Sequence, residues 1–149
     1  MYGIFFRTNS ANSVLKTIFN NVNLRKFEWY NIPEQTESYG IPMYTTLFNQ
    51  KYYSGSDFSK CIANNHLIVF LKLQAYLELE NFKEIITLDD FKKSKCKLIL
   101  LIYDCEYVEV YAKDKNIIQS IYSNAINNNF SDIKLLKDSG ITRKTFCIL

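Results

Sequence analysis

Hydrophobic and polar residues alternate in several short stretches, and their period sets the expected elements. "YGIFFR" at 2–7 reads as a strand. Val14, Leu15, Ile18, Phe19 and Val22 then recur at helical spacing, with Ser10, Asn12 or Ser13 able to cap the first turn. "KFEWY" returns to period two, placing Phe27 and Trp29 on one face and Glu28 and Tyr30 on the other, until Pro33 ends the pairing. Residues 31–56 are the least regular stretch, with one strand expected in "IPMYTTLF" and a turn in "YYSGS". A short helix follows in "DFSKCIANN", capped by Ser56 or Asp57. The strand "HLIVFLKLQAYLEL" comes next. Its run Leu67–Leu71 reads as buried on both faces, and it alternates from Lys72 onward.

The second half is more regular. Thr87 caps a short helix in "TLDDFKKS", with Asp89 and Asp90 at its positive end and Lys92, Lys93 and Lys95 near its negative end. "KLILLIYDCEYVEVYAK" predicts a hairpin turning at Asp104–Glu106, with Tyr107, Glu109 and Tyr111 opposing Val108, Val110 and Ala112. Asp114 caps a helix striped by Ile118, Ile121, Tyr122 and Ala125. "DIKLLKD" and "TRKTFCIL" are expected as strands around Ser139–Gly140. The order predicts an α+β fold, a single mostly antiparallel or mixed β-sheet with two or three helices packed mainly on one face. No linker or repeat divides the chain, so residues 1–149 are expected as one domain.

Composition narrows the chemistry. Apolar residues make up 48% of the chain, enough for a sizeable core, and 11 Phe and 11 Tyr predict many rings at its rim. The net charge is +3, distributed as +2 over 1–60, −2 over 61–112 and +3 over 113–149. No segment is basic enough to bind nucleic acid by charge alone. The apolar runs are too short to span a bilayer, and "MYGIFFRTNS" lacks an export-signal pattern, so a cytoplasmic location and no membrane partner are expected.

Catalytic motifs are missing. His66 is the single histidine, and neither it nor Cys61 sits in a nucleophile context, so His66 reads as a polar residue at a strand entrance. Cys61, Cys96, Cys105 and Cys147 form no closely spaced pair of the zinc type. Cys105 lies between Asp104 and Glu106, the opposite of the electropositive setting a reactive thiol needs. Isolated glycines exclude phosphate-cradling loops. No catalytic, cofactor-binding or metal-binding residue is therefore assigned.

The segments "YGIFFRT", "FEWYN", "LDDFKKSKCKLILLIYDCEYVEVYAKD" and "TRKTFCIL" carry a resemblance across nearly the whole chain. It is similar to a family of small proteins from low-GC Gram-positive bacteria grouped as a domain of unknown function. The resemblance implies a cytosolic single-domain protein and brings no activity or catalytic residue with it.

The leading functional expectation is a non-enzymatic binding or protein-interaction domain, acting on another protein or on a second copy of itself. Trp29 is expected in the core against the helix at 14–22. Tyr30, Tyr39 and Tyr44 form the candidate interaction surface. One alternative is an enzyme with an acid–base site near residues 30–56. Another is a weak nucleic-acid binder using Lys92, Lys93, Lys95 and Arg143, which would need those charges to meet in space beside exposed sheet aromatics.

Overall fold

One long strand organises the chain. In the computed structural model, which describes residues 1–149, the elements in order are β1 (Tyr2–Arg7), α1 (Val14–Ile18), β2 (Glu28–Asn31), β3 (Glu37–Gly40), β4 (Thr45–Thr46), β5 (Tyr52–Tyr53), α2 (Gly55–Ala63), β6 (His66–Tyr76), α3 (Leu88–Lys93), β7 (Leu98–Tyr103), β8 (Tyr107–Ala112), α4 (Lys115–Asn127) and β9 (Ser131–Lys137). The nine strands form a single sheet of order β4-β3-β6-β7-β8-β1-β9, and every pairing is antiparallel. On its outer side, β6 pairs β3 along its first half and β2 along its second, and β2 also carries β5. An α+β domain with an antiparallel sheet is the architecture.

Both faces of the central strands are buried, by different layers. Ile4, Val110, Leu100 and Leu73 lie side by side in register across β1, β8, β7 and β6. This row belongs to a large core covered by Leu15 and Ile18 of α1, Phe58 and Ile62 of α2, and Ile118 and Ile121 of α4. Each such side chain, fully removed from water, stabilises the fold by about 1.5–3 kcal/mol before entropy is counted. The opposite face carries Ile99, Leu101 and Tyr111. There α3, through Phe91, and the C-terminal segment, through Phe146, close a second and smaller core. Helices therefore pack on both faces of the sheet rather than mainly on one.

Two further expectations are corrected. "TRKTFCIL" is not a strand: it makes one isolated bridge, Thr145 to Thr87, and lies across the sheet as an irregular strap, with Phe146 fully buried. The run Leu67–Leu71 is not buried on both sides, because Leu67, Val69 and Phe70 keep partial exposure beside the short strands β3 and β4. The doubly buried stretches are Leu71–Tyr76 and Leu98–Ile102, beneath both layers.

Local signals explain the helix starts. Thr87 and Asp90 form a reciprocal capping box, with Thr87 Oγ1 accepting from the Asp90 amide at 3.1 Å and Asp90 accepting from the Thr87 amide at 3.2 Å. Asp114 caps α4 by accepting from the Asn116 amide at 2.8 Å. The α2 cap is Ser54, earlier than expected, and Gly55 opens the helix where a Cβ would stand 2.5 Å from the Arg25 backbone. The β7–β8 turn places Asp104 and Cys105 at positive φ (51° and 66°), the backbone of a tight hairpin.

Candidate functional site

The 26–40 stretch separates into a core half and an outer half. Trp29 is fully buried. Its ring stacks on Phe58 at 4.2 Å and meets Phe19 at 5.5 Å, and its Nε1 donates to the Leu24 carbonyl at 3.1 Å. Tyr30 faces the other way but is also buried, at 8% exposure. It packs on Tyr52 at 5.2 Å and Phe82 at 5.4 Å, with the Lys51 ammonium 5.4 Å from its ring centre.

Tyr39 and Tyr44 do come together. Their rings meet edge to face at 6.5 Å on the β3–β4 hairpin. Tyr44 is 64% exposed and its neighbour Met43 80% exposed. Beside them lies a cleft of about 330 Å³, lined by Asn31, Glu37, Tyr39, Asn49 and Lys51 among others. Glu37 is its single lining carboxylate, and it accepts from the Tyr39 hydroxyl at 3.0 Å. The second carboxylate that paired acid–base chemistry needs is not assembled there.

His66 has a structural position. Its Nε2 accepts from the Leu15 amide at 3.1 Å, and its Nδ1 lies 2.7 Å from the Asn64 carbonyl, so the neutral ring with the proton on Nδ1 satisfies both contacts. Burial holds its pKa below the ordinary value. The imidazole takes the place of a side-chain cap for α1, whose own cap residue Ser13 supplies none. Burial also raises the Cys61 thiol to about 11 and Cys96 to about 12, which keeps both protonated at neutral pH.

The polar chemistry concentrates on the sheet's second face, at positions whose alternation reads as solvent-facing. Lys72, Leu101, Glu109, Phe5 and Lys134 form one row across β6, β7, β8, β1 and β9. Lys72 is fully buried and donates to Glu84 Oε2 at 3.2 Å and the Ile85 carbonyl at 2.8 Å. Burial lowers its pKa, and Glu84 opposes that shift. Gln74 donates to the Lys83 carbonyl and accepts from the Ile85 amide, both at 2.8 Å. Together Lys72 and Gln74 fasten the 83–85 backbone to the sheet.

Glu109 is the second such centre. It accepts from Arg143 Nε at 2.8 Å, from Arg143 Nη2 at 2.7 Å and from the Tyr103 hydroxyl at 2.8 Å, and also from the Tyr111 hydroxyl. Burial pushes the carboxyl pKa up, but the donors from Arg143, Tyr111 and Tyr103 outweigh it and leave it lowered. Burial, reinforced by Glu109, raises the Tyr103 phenol to about 12. Arg143 Nη1 donates to the Thr145 and Cys147 carbonyls at 2.9 and 3.4 Å, so the same guanidinium pins the C-terminal strap. Glu109 and Arg143 line a cleft of about 500 Å³ with Phe5, Tyr111, Lys134 and Lys144. Lys93 and Lys95 line a different cleft with Lys83 and Asp90. Arg143 is paired with Glu109 and lines a different cleft from Lys93 and Lys95, so no single cleft gathers the charges that nucleic-acid binding would need.

Sheet, helices and clefts together define an α+β protein whose buried Lys72 and Glu109 fasten the layer over its second face. The chain belongs to the family described as "Protein of unknown function (DUF2691)", whose model matches residues 1–147. It is also similar to the "Uncharacterized protein YncE" of Bacillus subtilis (strain 168), at 34% identity over 85 residues. That match covers 57% of this chain and 56% of the relative, so the similarity spans little more than half of each protein. No solved structure matches. No helix is long and apolar enough to cross a membrane.

Proposed function

We propose that this is a non-enzymatic, cytoplasmic binding protein that engages a protein partner through the β3–β4 hairpin. Tyr39, Met43 and Tyr44 supply the contact. The observation that carries this reading is the exposure of Met43 and Tyr44, at 80% and 64%, on a hairpin at the edge of the sheet. Tyrosine and methionine are enriched at interfaces, tyrosine because it brings large contact area at low conformational cost and methionine because its flexible thioether fits irregular surfaces. The state of the ionisable groups supports the same reading. His66 has both ring nitrogens engaged, Lys72 is tied to Glu84 and Ile85, and Glu109 has four donors. Each has a folding role that accounts for its environment. Tyr30 leaves the candidate surface, since its ring is occupied by Tyr52 and Phe82.

The test compares wild type with Met43→Ser/Tyr44→Ser as baits in lysate of the native host, followed by direct affinity measurement on any protein captured. The reading predicts a partner whose purified form binds wild type at least about tenfold more tightly than the variant, at unchanged melting temperature. Equal affinity for both baits overturns it. Sedimentation showing that wild type pairs only with itself, through this hairpin, would assign the surface to a second copy and overturn the distinct-partner reading.

A further inference from the structure

We propose that the cleft of about 500 Å³ between the open half of the sheet and residues 140–145 is a nucleotide site, taking a planar ring on Phe5 and a phosphate between Lys134 and Lys144. This site is separate from the hairpin surface. Three observations carry it.

The first is an aromatic row on adjacent strands. Phe5 of β1 stacks with Tyr107 of β8 at 6.3 Å, and Tyr107 stacks with Tyr103 of β7 at 5.4 Å. All three rings are half-buried, on the face that the C-terminal strap leaves partly open. Half-exposed rings standing on a sheet are the platform on which flat heterocycles stack.

The second is cationic company. Lys134 Nζ lies 5.8 Å from the Phe5 ring centre, the Arg7 guanidinium 5.3 Å from Tyr107 and that of Arg143 5.8 Å from Tyr103. The two arginines are neutralised by carboxylates, Arg7 by Glu106 and Asp132 and Arg143 by Glu109. Lys134 and Lys144 form no ion pair, and both line the cleft. The cleft therefore carries two uncompensated positive charges beside the rings of Phe5 and Tyr111, and Tyr107 and Tyr103 continue the aromatic row outside it. That combination selects an anion bearing a flat ring over a neutral aromatic or a bare anion.

The third is shape. Gly3 lines a neighbouring cleft that shares Leu136, and an added Cβ there would meet the Tyr111 ring at 3.0 Å and Leu136 at 3.3 Å. Glycine lets the Tyr111 ring approach β1 closely, and Tyr111 and Leu136 both line the cleft. The volume is at the smaller end of ligand sites, matched to one nucleotide rather than a long strand.

The nucleotide could be free or the end of a single strand, and titration calorimetry on the full chain separates these sources. The probes are adenosine monophosphate, adenosine, inorganic phosphate and a 5′-phosphorylated RNA dodecamer. The site predicts saturable binding of adenosine monophosphate, at least about tenfold tighter than either adenosine or phosphate alone. Lys134→Gln/Lys144→Gln, which alters two exposed side chains, should weaken it about tenfold at unchanged melting temperature. Phe5→Leu should weaken the monophosphate while sparing inorganic phosphate. A dodecamer binding tenfold more tightly than the mononucleotide, with strong salt dependence, assigns the source to a strand, and equal affinity assigns it to free nucleotide. Absence of saturable monophosphate binding at millimolar concentration overturns the proposal, as does binding indifferent to both lysines. Neither result bears on the hairpin, whose variants leave this cleft intact.

Discussion

Replacing Arg143 by methionine should cost this small protein a large part of its stability. Arg143→Met keeps the apolar stem of the side chain and removes its guanidinium. The loss comprises two charge-assisted contacts to Glu109, at 2.8 and 2.7 Å, and the two carbonyl contacts that fasten the C-terminal strap. Glu109, 6% exposed, is then left as a carboxylate without a counter-charge. Breaking one side of a buried ion pair costs about 3–5 kcal/mol. Two tyrosine hydroxyls still donate to Glu109, and the Arg143 side chain is 22% exposed, so water can enter the vacated space. Both favour the lower end, about 3 kcal/mol, or a fall in melting temperature of about 6–12 °C for a domain of this size. Urea unfolding of both proteins measures it. The cause is checked by adding Glu109→Gln, which removes the orphaned charge and keeps an acceptor for the tyrosines. The double variant should recover about 1 kcal/mol or more relative to Arg143→Met. The pH dependence follows the same logic. The Glu109 pKa is lowered in the folded state, so its contribution is complete above the ordinary carboxylate value and is lost as pH falls through the lower folded value. Arg143→Met should therefore unfold at higher pH than wild type on acidification. A cost below about 1 kcal/mol, or a double variant less stable than the single one, refutes the assignment of Glu109–Arg143 as the lock of the second face.

His66 also predicts a pH effect. Its pKa is lowered by burial, so stability is complete above about 6.5 and declines as pH falls below it, and a urea midpoint at pH 5.5 should lie below that at pH 7.5 in wild type but not in His66→Gln. Gly55→Ala should destabilise by about 1–3 kcal/mol in thermal unfolding, because the new methyl meets Arg25 backbone rather than a movable side chain. Trp29→Phe and Tyr30→Ala should both lower the melting temperature. The first loses the Leu24 contact and part of the stack on Phe58, and the second empties the space between Tyr52 and Phe82.

The elements with strong local grammar were legible in the chain. Thr87 and Asp114 announce their helices through caps that need only nearby backbone, and the β7–β8 hairpin follows from two apolar runs flanking a short polar turn. Trp29 could be assigned to the core because strand alternation separates it from Tyr30. Burial on the second face was not legible. Lys72, Gln74 and Glu109 occupy alternate positions that read as solvent-facing, and only the tertiary strap over them turns those positions inward. Their partners Glu84 and Arg143 lie 12 and 34 residues away, beyond any local periodicity. The one available signal was polar residues interrupting otherwise unbroken apolar strands, which fits a doubly covered sheet with internal ion pairs as well as a half-exposed one. Tyr30 was misread for a related reason: its alternation is correct, but Tyr52 and Phe82 arrive from remote segments to cover it.

Residues 83–86 and 141–148 form a fixed second layer, held by buried polar groups. Native-state hydrogen exchange tests it at three amides: Ile85, bonded to Gln74; Phe146, bonded to the Ile86 carbonyl; and Ile148, bonded to Gln35. Slow exchange is expected at Ile85 and Phe146, comparable to the strand amides of β7, with Phe146 and Ile148 losing protection together in Arg143→Met. Exchange at Phe146 as fast as at the exposed terminal Leu149 would contradict it.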